Sequence, residues 1–154
     1  MLLPYTVCLF GHRLIENVID VETALRNAIE KILSDHEYVE FLIGREGEFD
    51  ILAVSVIRAV ARCRDDGNCT LTLVMPYIRA DFEKNQSEYE AYYDSVELCE
   101  QSDAAPPKAA IRIRNRTMVN RSDLCVFYVT HPSGGAYQTM KYAESINRNI
   151  LRIP

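Results

Sequence analysis

Two adjacent glycines, Gly134 and Gly135, separate an apolar run at 124–129 from a stretch of helical spacing at 140–148. A strand that breaks at His131-Pro132-Ser133-Gly134-Gly135-Ala136 and resumes as a helix presents unpaired backbone N–H groups at the helix start. Glycine lets a ligand approach that backbone, and the helix dipole favours an anion there. Ser133, Ala136 and Thr139 complete this candidate phosphate loop. Just upstream, Lys108, Arg112, Arg114, Arg116 and Arg121 concentrate cationic charge in a chain whose net charge is −5. Helical spacing places Arg112 and Arg116 on one stripe, a turn apart, with Asn115 beside them.

Two further segments carry chemistry. Gly11-His12-Arg13 closes the first apolar run, and Gly44-Arg45-Glu46-Gly47-Glu48-Phe49-Asp50 closes the second. Acids at a helix start already satisfy the dipole and repel phosphate. The second loop therefore suits the hydroxyls of a ribose, or pairs with Arg13 or Arg45. Glu46 and Asp50 are its candidate catalytic carboxylates, and His12 is a candidate general acid.

Alternating patterns must position these residues. Short apolar runs at 6–10, 38–43, 70–75, 95–98, 124–129 and 150–153 read as strands. Between them, Val21, Ala24, Leu25, Ala28, Ile29, Ile32 and Leu33 recur at helical spacing, and further helices are expected at 49–62, 108–120 and 140–148. The segment 79–93 fits a polar helix or an ordered loop, 65–68 is a turn, and 101–107 is a linker-like loop. This alternation predicts an α/β fold, a Rossmann-like and mostly parallel sheet with helices on both faces. Parallel strands all end on one side, so the three loops should converge on one crevice where strand order reverses.

Composition bounds the function. A chain of 154 residues, 48% hydrophobic and 25% charged, reads as one globular domain, 1–154. Five cysteines without metal-ligand spacing imply no metal site and a reducing cytoplasm. No apolar run approaches membrane-spanning length, and the N-terminus lacks the basic flank of a signal peptide. With 22 acids against 17 cations, no nucleic acid is expected as a partner. Tyr89, Tyr92 and Tyr93 offer a surface for a homo-oligomer.

In this order and spacing the motifs resemble one family. Gly11-His12-Arg13, the Gly44-x-x-Gly47-x-x-Asp50 loop, Arg114-Asn115-Arg116-x-Met118-Val119 with Ser122-Asp123, and Gly134-Gly135 with Thr139 and Ala143 are similar to the SLOG superfamily. That group unites the DNA-processing protein DprA (Smf) with the LOG cytokinin-activating phosphoribohydrolases. Within it the chain resembles the YpsA-like proteins of Gram-positive bacteria and their mobile elements. The resemblance implies a Rossmann-like fold that binds a nucleotide or nucleotide-derived ligand at the glycine-rich loops. It matches Arg116 to the arginine of the LOG Arg-Lys-x-x-Met motif, and Gly134 and Gly135 to its phosphate-loop glycines. The catalytic glutamate of the LOG loop has no counterpart, because Met140, Lys141 and Gln138 occupy the neighbourhood of its place. The expected function is therefore binding or sensing of a small nucleotide, such as an NAD or ADP-ribose derivative, with the state passed to a protein partner. The alternative is a nucleotide-processing hydrolase, acting on a nucleoside monophosphate or an NAD derivative, with Glu46 or Asp50 in the missing role.

Overall fold

The computed structural model describes residues 3–64 and 67–154. The elements run β1 (Tyr5–Gly11), α1 (Val18–Asp35), β2 (Val39–Ile43), α2 (Glu48–Arg62), β3 (Cys69–Met75), α3 (Ala80–Lys84), α4 (Gln86–Tyr92), β4 (Ser95–Leu98), α5 (Pro107–Arg121), β5 (Leu124–Tyr128), α6 (Gly135–Ser145) and β6 (Ile150–Ile153). The six strands form one sheet in the order β4-β3-β2-β1-β5-β6, and every neighbouring pair is parallel. This is the predicted α/β Rossmann-like architecture, with the sheet wholly rather than mostly parallel.

Strand β1 shows how the two layers arise. Its alternating side chains split by period two: Val7 and Leu9 pack on one face with Val21, Leu25 and Ile29 of α1 and Val54 and Ile57 of α2. Cys8 and Phe10 pack on the other with Met118 and Val119 of α5 and Met140 and Ala143 of α6. Each of the buried Val, Leu, Ile, Phe and Met side chains contributes about 1.5–3 kcal/mol of transfer free energy. A parallel sheet covered on both faces requires this continuous apolar character in its strands.

Three local readings are corrected, the first being the tyrosine cluster: Tyr89 and Tyr93, expected at a homo-oligomer surface, are buried in the core, and of the three Tyr92 alone is exposed. The helix expected from residue 140 begins at Gly135, so the glycine pair is the cap and first residue of α6 rather than a loop ahead of it. The segment 79–93 forms two short helices, α3 and α4, broken at Asn85. Of the turn expected at 65–68, Asp65 and Asp66 lie outside the described residues. Among the described residues no helix is long and apolar enough to cross a membrane.

Candidate functional site

All strands point their carboxyl ends to one side, and strand order reverses between β1 and β5. A cavity of about 490 Å³ opens there, within the range of small-molecule sites. Gly11, His12 and Arg13 line it from the end of β1, Gly44, Glu46 and Asp50 from the β2–α2 connection, and Gly134, Gly135 and Ala136 from the start of α6. The three loops singled out by the sequence converge. Helix α5 contributes Ile111, Arg114 and Asn115 to the same wall.

The loops are stitched together by backbone. Glu48 N–H donates to the Arg13 carbonyl at 2.8 Å, and the Glu48 carboxylate accepts from Ile15 N–H at 2.8 Å. Gly47 is the cap of α2 and lies against Arg13: a Cβ there would come within 2.5 Å of the Arg13 Cα. Gly134 caps α6 at φ +91°, a conformation that favours glycine. Ser133 is exposed and its hydroxyl bonds the His131 ring at 2.8 Å.

His12 is a buried brace. Its Nε2 accepts from Thr130 N–H at 2.9 Å, and its ring stacks on His131 at 3.7 Å. Burial, then the neighbouring His131, holds its pKa below the ordinary value. Neutral His12 thus ties the β5–α6 loop to β1, and its ring fits that structural role better than a general acid.

The residue that organises the cavity is Arg114, 2% exposed. Its Nη1 donates to the Val74 carbonyl at 2.7 Å, its Nε to Asn115 Oδ1 at 2.8 Å, and its Nη2 faces Glu46 Oε1 at 3.4 Å. Asn115 Nδ2 donates to Thr139 Oγ1 at 3.2 Å, and Thr139 donates to the Gly135 carbonyl at 2.8 Å. One hydrogen-bonded chain therefore runs from a buried guanidinium to the first residue of α6. A guanidinium has five N–H donors, and these contacts engage three of them. Glu46 is shared between Arg114 and Arg79, whose Nη1 lies at 3.5 Å. Asp50 is buried at the α2 start, where it accepts from Glu46 N–H at 2.9 Å. Burial raises its pKa to about 6 against the opposing pull of that hydrogen bond and Arg114. Exposed Arg13 has no carboxylate partner among the described residues and stands as a cation at the mouth.

Some expected site residues lie elsewhere. Arg116 sits outside the cavity, its guanidinium over the Tyr142 ring at 4.7 Å. Arg114, four residues before Met118, is the arginine of α5 that lines the cavity instead. Arg45 turns away to Tyr93, donating to its hydroxyl at 3.2 Å and lying over Tyr89. Thr139 is buried behind the wall rather than lining it. Arg114 was missed as a site residue, although it shares the helical stripe of Ala110 and Met118, which face inward.

An open parallel α/β sheet with a cavity at its switch point is the architecture in which ligands are bound outside the strand ends. No family model and no curated protein matches the sequence. Among solved structures, the chain is similar to DNA processing protein A (DprA) from Streptococcus pneumoniae, with a TM-score of 0.69 at 13% identity, covering 98% of this chain and 50% of that one. It is also similar to DNA processing protein A from Helicobacter pylori, with a TM-score of 0.65 at 14% identity, covering 98% of this chain and 66% of that one. The chain thus has the Rossmann-like fold of these proteins while spanning only part of their length.

The Helicobacter structure is described as showing a single-stranded DNA binding mode. That finding overturns the expectation that nucleic acid is excluded as a partner. The net charge misled because it is a sum. Residues 107–154 hold eight of the 17 cations and two of the 22 acids, a balance of +6, while residues 1–106 stand at −11.

Proposed function

We propose that the chain works as one ligand-binding domain for a phosphorylated nucleotide. The observation that carries this reading is the buried guanidinium of Arg114, bonded through Asn115 and Thr139 to the glycine start of α6. A phosphate at the α6 start meets free backbone N–H groups, the helix dipole and the Arg13 cation. The Glu46 side accepts hydroxyl protons, as a ribose would supply. Nucleotide units of this kind include free NAD or ADP-ribose derivatives and those of single-stranded DNA. The motif order Arg114-Asn115-Arg116-x-Met118 with Gly134-Gly135 supports a place in the YpsA-like branch of the SLOG group, and buried thiols at Cys8, Cys99 and Cys125 suit a reducing cytoplasm.

A thermal-shift panel of AMP, ADP, NAD, ADP-ribose, cyclic ADP-ribose and short oligonucleotides tests this reading. A ligand at a hundred times its dissociation constant adds about 2.7 kcal/mol, or roughly 5–10 °C for a chain of this size. No shift across the panel defeats the proposal.

One observation favours hydrolysis as a second reading. Asp50 lines the cavity with a pKa raised to about 6, near the range where a carboxyl serves as both acid and base. In that case chromatography finds the shifting ligand consumed, and Asp50→Asn abolishes turnover while leaving the thermal shift.

A further inference from the structure

Outside the cavity, helices α5 and α6 build a second, shallow groove. Arg112, Arg116 and Lys141 line it together with Tyr137 and Tyr142. The three cations are exposed. Arg112 has no ion pair or hydrogen bond to any described residue. Among the described residues Lys141 pairs only with Glu144, at 3.4 Å in an exposed pair of the kind that contributes little. The Arg116 guanidinium lies over the ring of Tyr142, whose hydroxyl donates to Asn120 Oδ1 at 2.5 Å. Residues 107–121 contain no Asp or Glu. In an acidic protein, such a face is not a random mixture of charges.

The groove adjoins the cavity through consecutive residues. Ile111 and Ala136 line the cavity, while Arg112 and Tyr137, the next residue in each helix, line the groove. Cations one helical turn apart, interleaved with aromatic rings, fit a flexible polyanion that carries planar groups: phosphates meet the guanidinium and ammonium groups, and unpaired bases stack on tyrosine. A lone free anion would need one cation and no rings. We propose that this face holds the continuation of a single DNA strand whose anchoring nucleotide occupies the cavity. The proposal rests on the cavity binding a nucleotide.

Fluorescence anisotropy with a labelled oligothymidylate of about 12 nucleotides tests it. The double variant Arg112→Gln with Lys141→Gln changes only exposed side chains, and Gly135→Asp puts a negative group where a Cβ meets nothing within 4 Å. In the double variant the dissociation constant rises about tenfold, and the slope of log K against log salt shrinks by about 1.4, or about 0.7 for each phosphate released. Gly135→Asp also weakens binding, with the slope nearly kept. The proposal is overturned if wild-type protein does not bind the oligonucleotide. It is equally overturned if the double variant keeps both affinity and slope, and a loss confined to Gly135→Asp then leaves the cavity reading standing alone. A loss confined to the double variant supports the surface and counts against the cavity as the anchor.

Discussion

At the scale of single residues, the site is defined by ionisable groups taken out of water. Arg114 is held by Val74, Asn115 and Glu46, and Asp50 lies close enough to act on its charge. Burial lowers the Arg114 pKa and raises that of Asp50, each environment disfavouring the charged form. For Asp50 the consequence has a definite sign. Its folded pKa of about 6 lies above its ordinary 3.8, so ionised Asp50 opposes folding. That opposition is absent below about pH 4, grows through the interval between the two values, and reaches about 3 kcal/mol near pH 7. Asp50→Asn keeps an oxygen acceptor for Glu46 N–H and cannot ionise. Chemical denaturation of both proteins is expected to show the variant gaining up to about 3 kcal/mol on wild type from pH 4 to pH 7. A flat difference would mean that water or a closer partner solvates the carboxylate.

At the scale of elements, the cavity depends on how tightly connecting loops are packed. Gly47 stands where the β2–α2 connection crosses the β1 loop, with the Arg13 backbone directly against it. A Cβ cannot be accommodated without parting the two loops. Gly47→Ala is expected to cost about 1–3 kcal/mol in denaturant titration, the range of overpacking, and to weaken any ligand held between Arg13 and Glu46. Unchanged stability would mean that the loops give way freely. Most elements were legible because their apolar spacing is long enough to show a period. The strands at β1, β2, β3, β5 and β6 and helices α1 and α2 all stand within two residues of where the pattern placed them. Helices α3 and α4 were not legible, since five and seven residues span too few turns to establish a period. The α6 start was missed because Gly135, Ala136 and Tyr137 carry no helical signature, and position relative to β5 fixes them instead. In α5 the helix was evident, but its inward face was obscured: buried Arg114 and exposed Arg112 and Arg116 look alike in a pattern of polar and apolar letters. The convergence of three loops on one cavity followed from parallel topology alone. Which arginine it contains did not.

At the scale of the whole molecule, charge is divided between two segments of the chain. Helices α5 and α6 and strands β5 and β6 belong to the half with a balance of +6, and α1, α2 and the β4 edge belong to the half at −11. Summed charge describes neither side. Charge so divided gives the protein a large electric moment, and a moment makes diffusional encounter directional. A molecule tumbling near an anionic strand is turned by the field before contact, with α5 and α6 leading. Stopped-flow mixing with oligothymidylate is expected to show an association rate that falls steeply with added salt. A rate indifferent to salt would mean that the two halves do not present separate fields. The same asymmetry bears on the proposed strand binding from the other side: a strand that reaches the acidic segment is repelled rather than held, so unproductive encounters are brief.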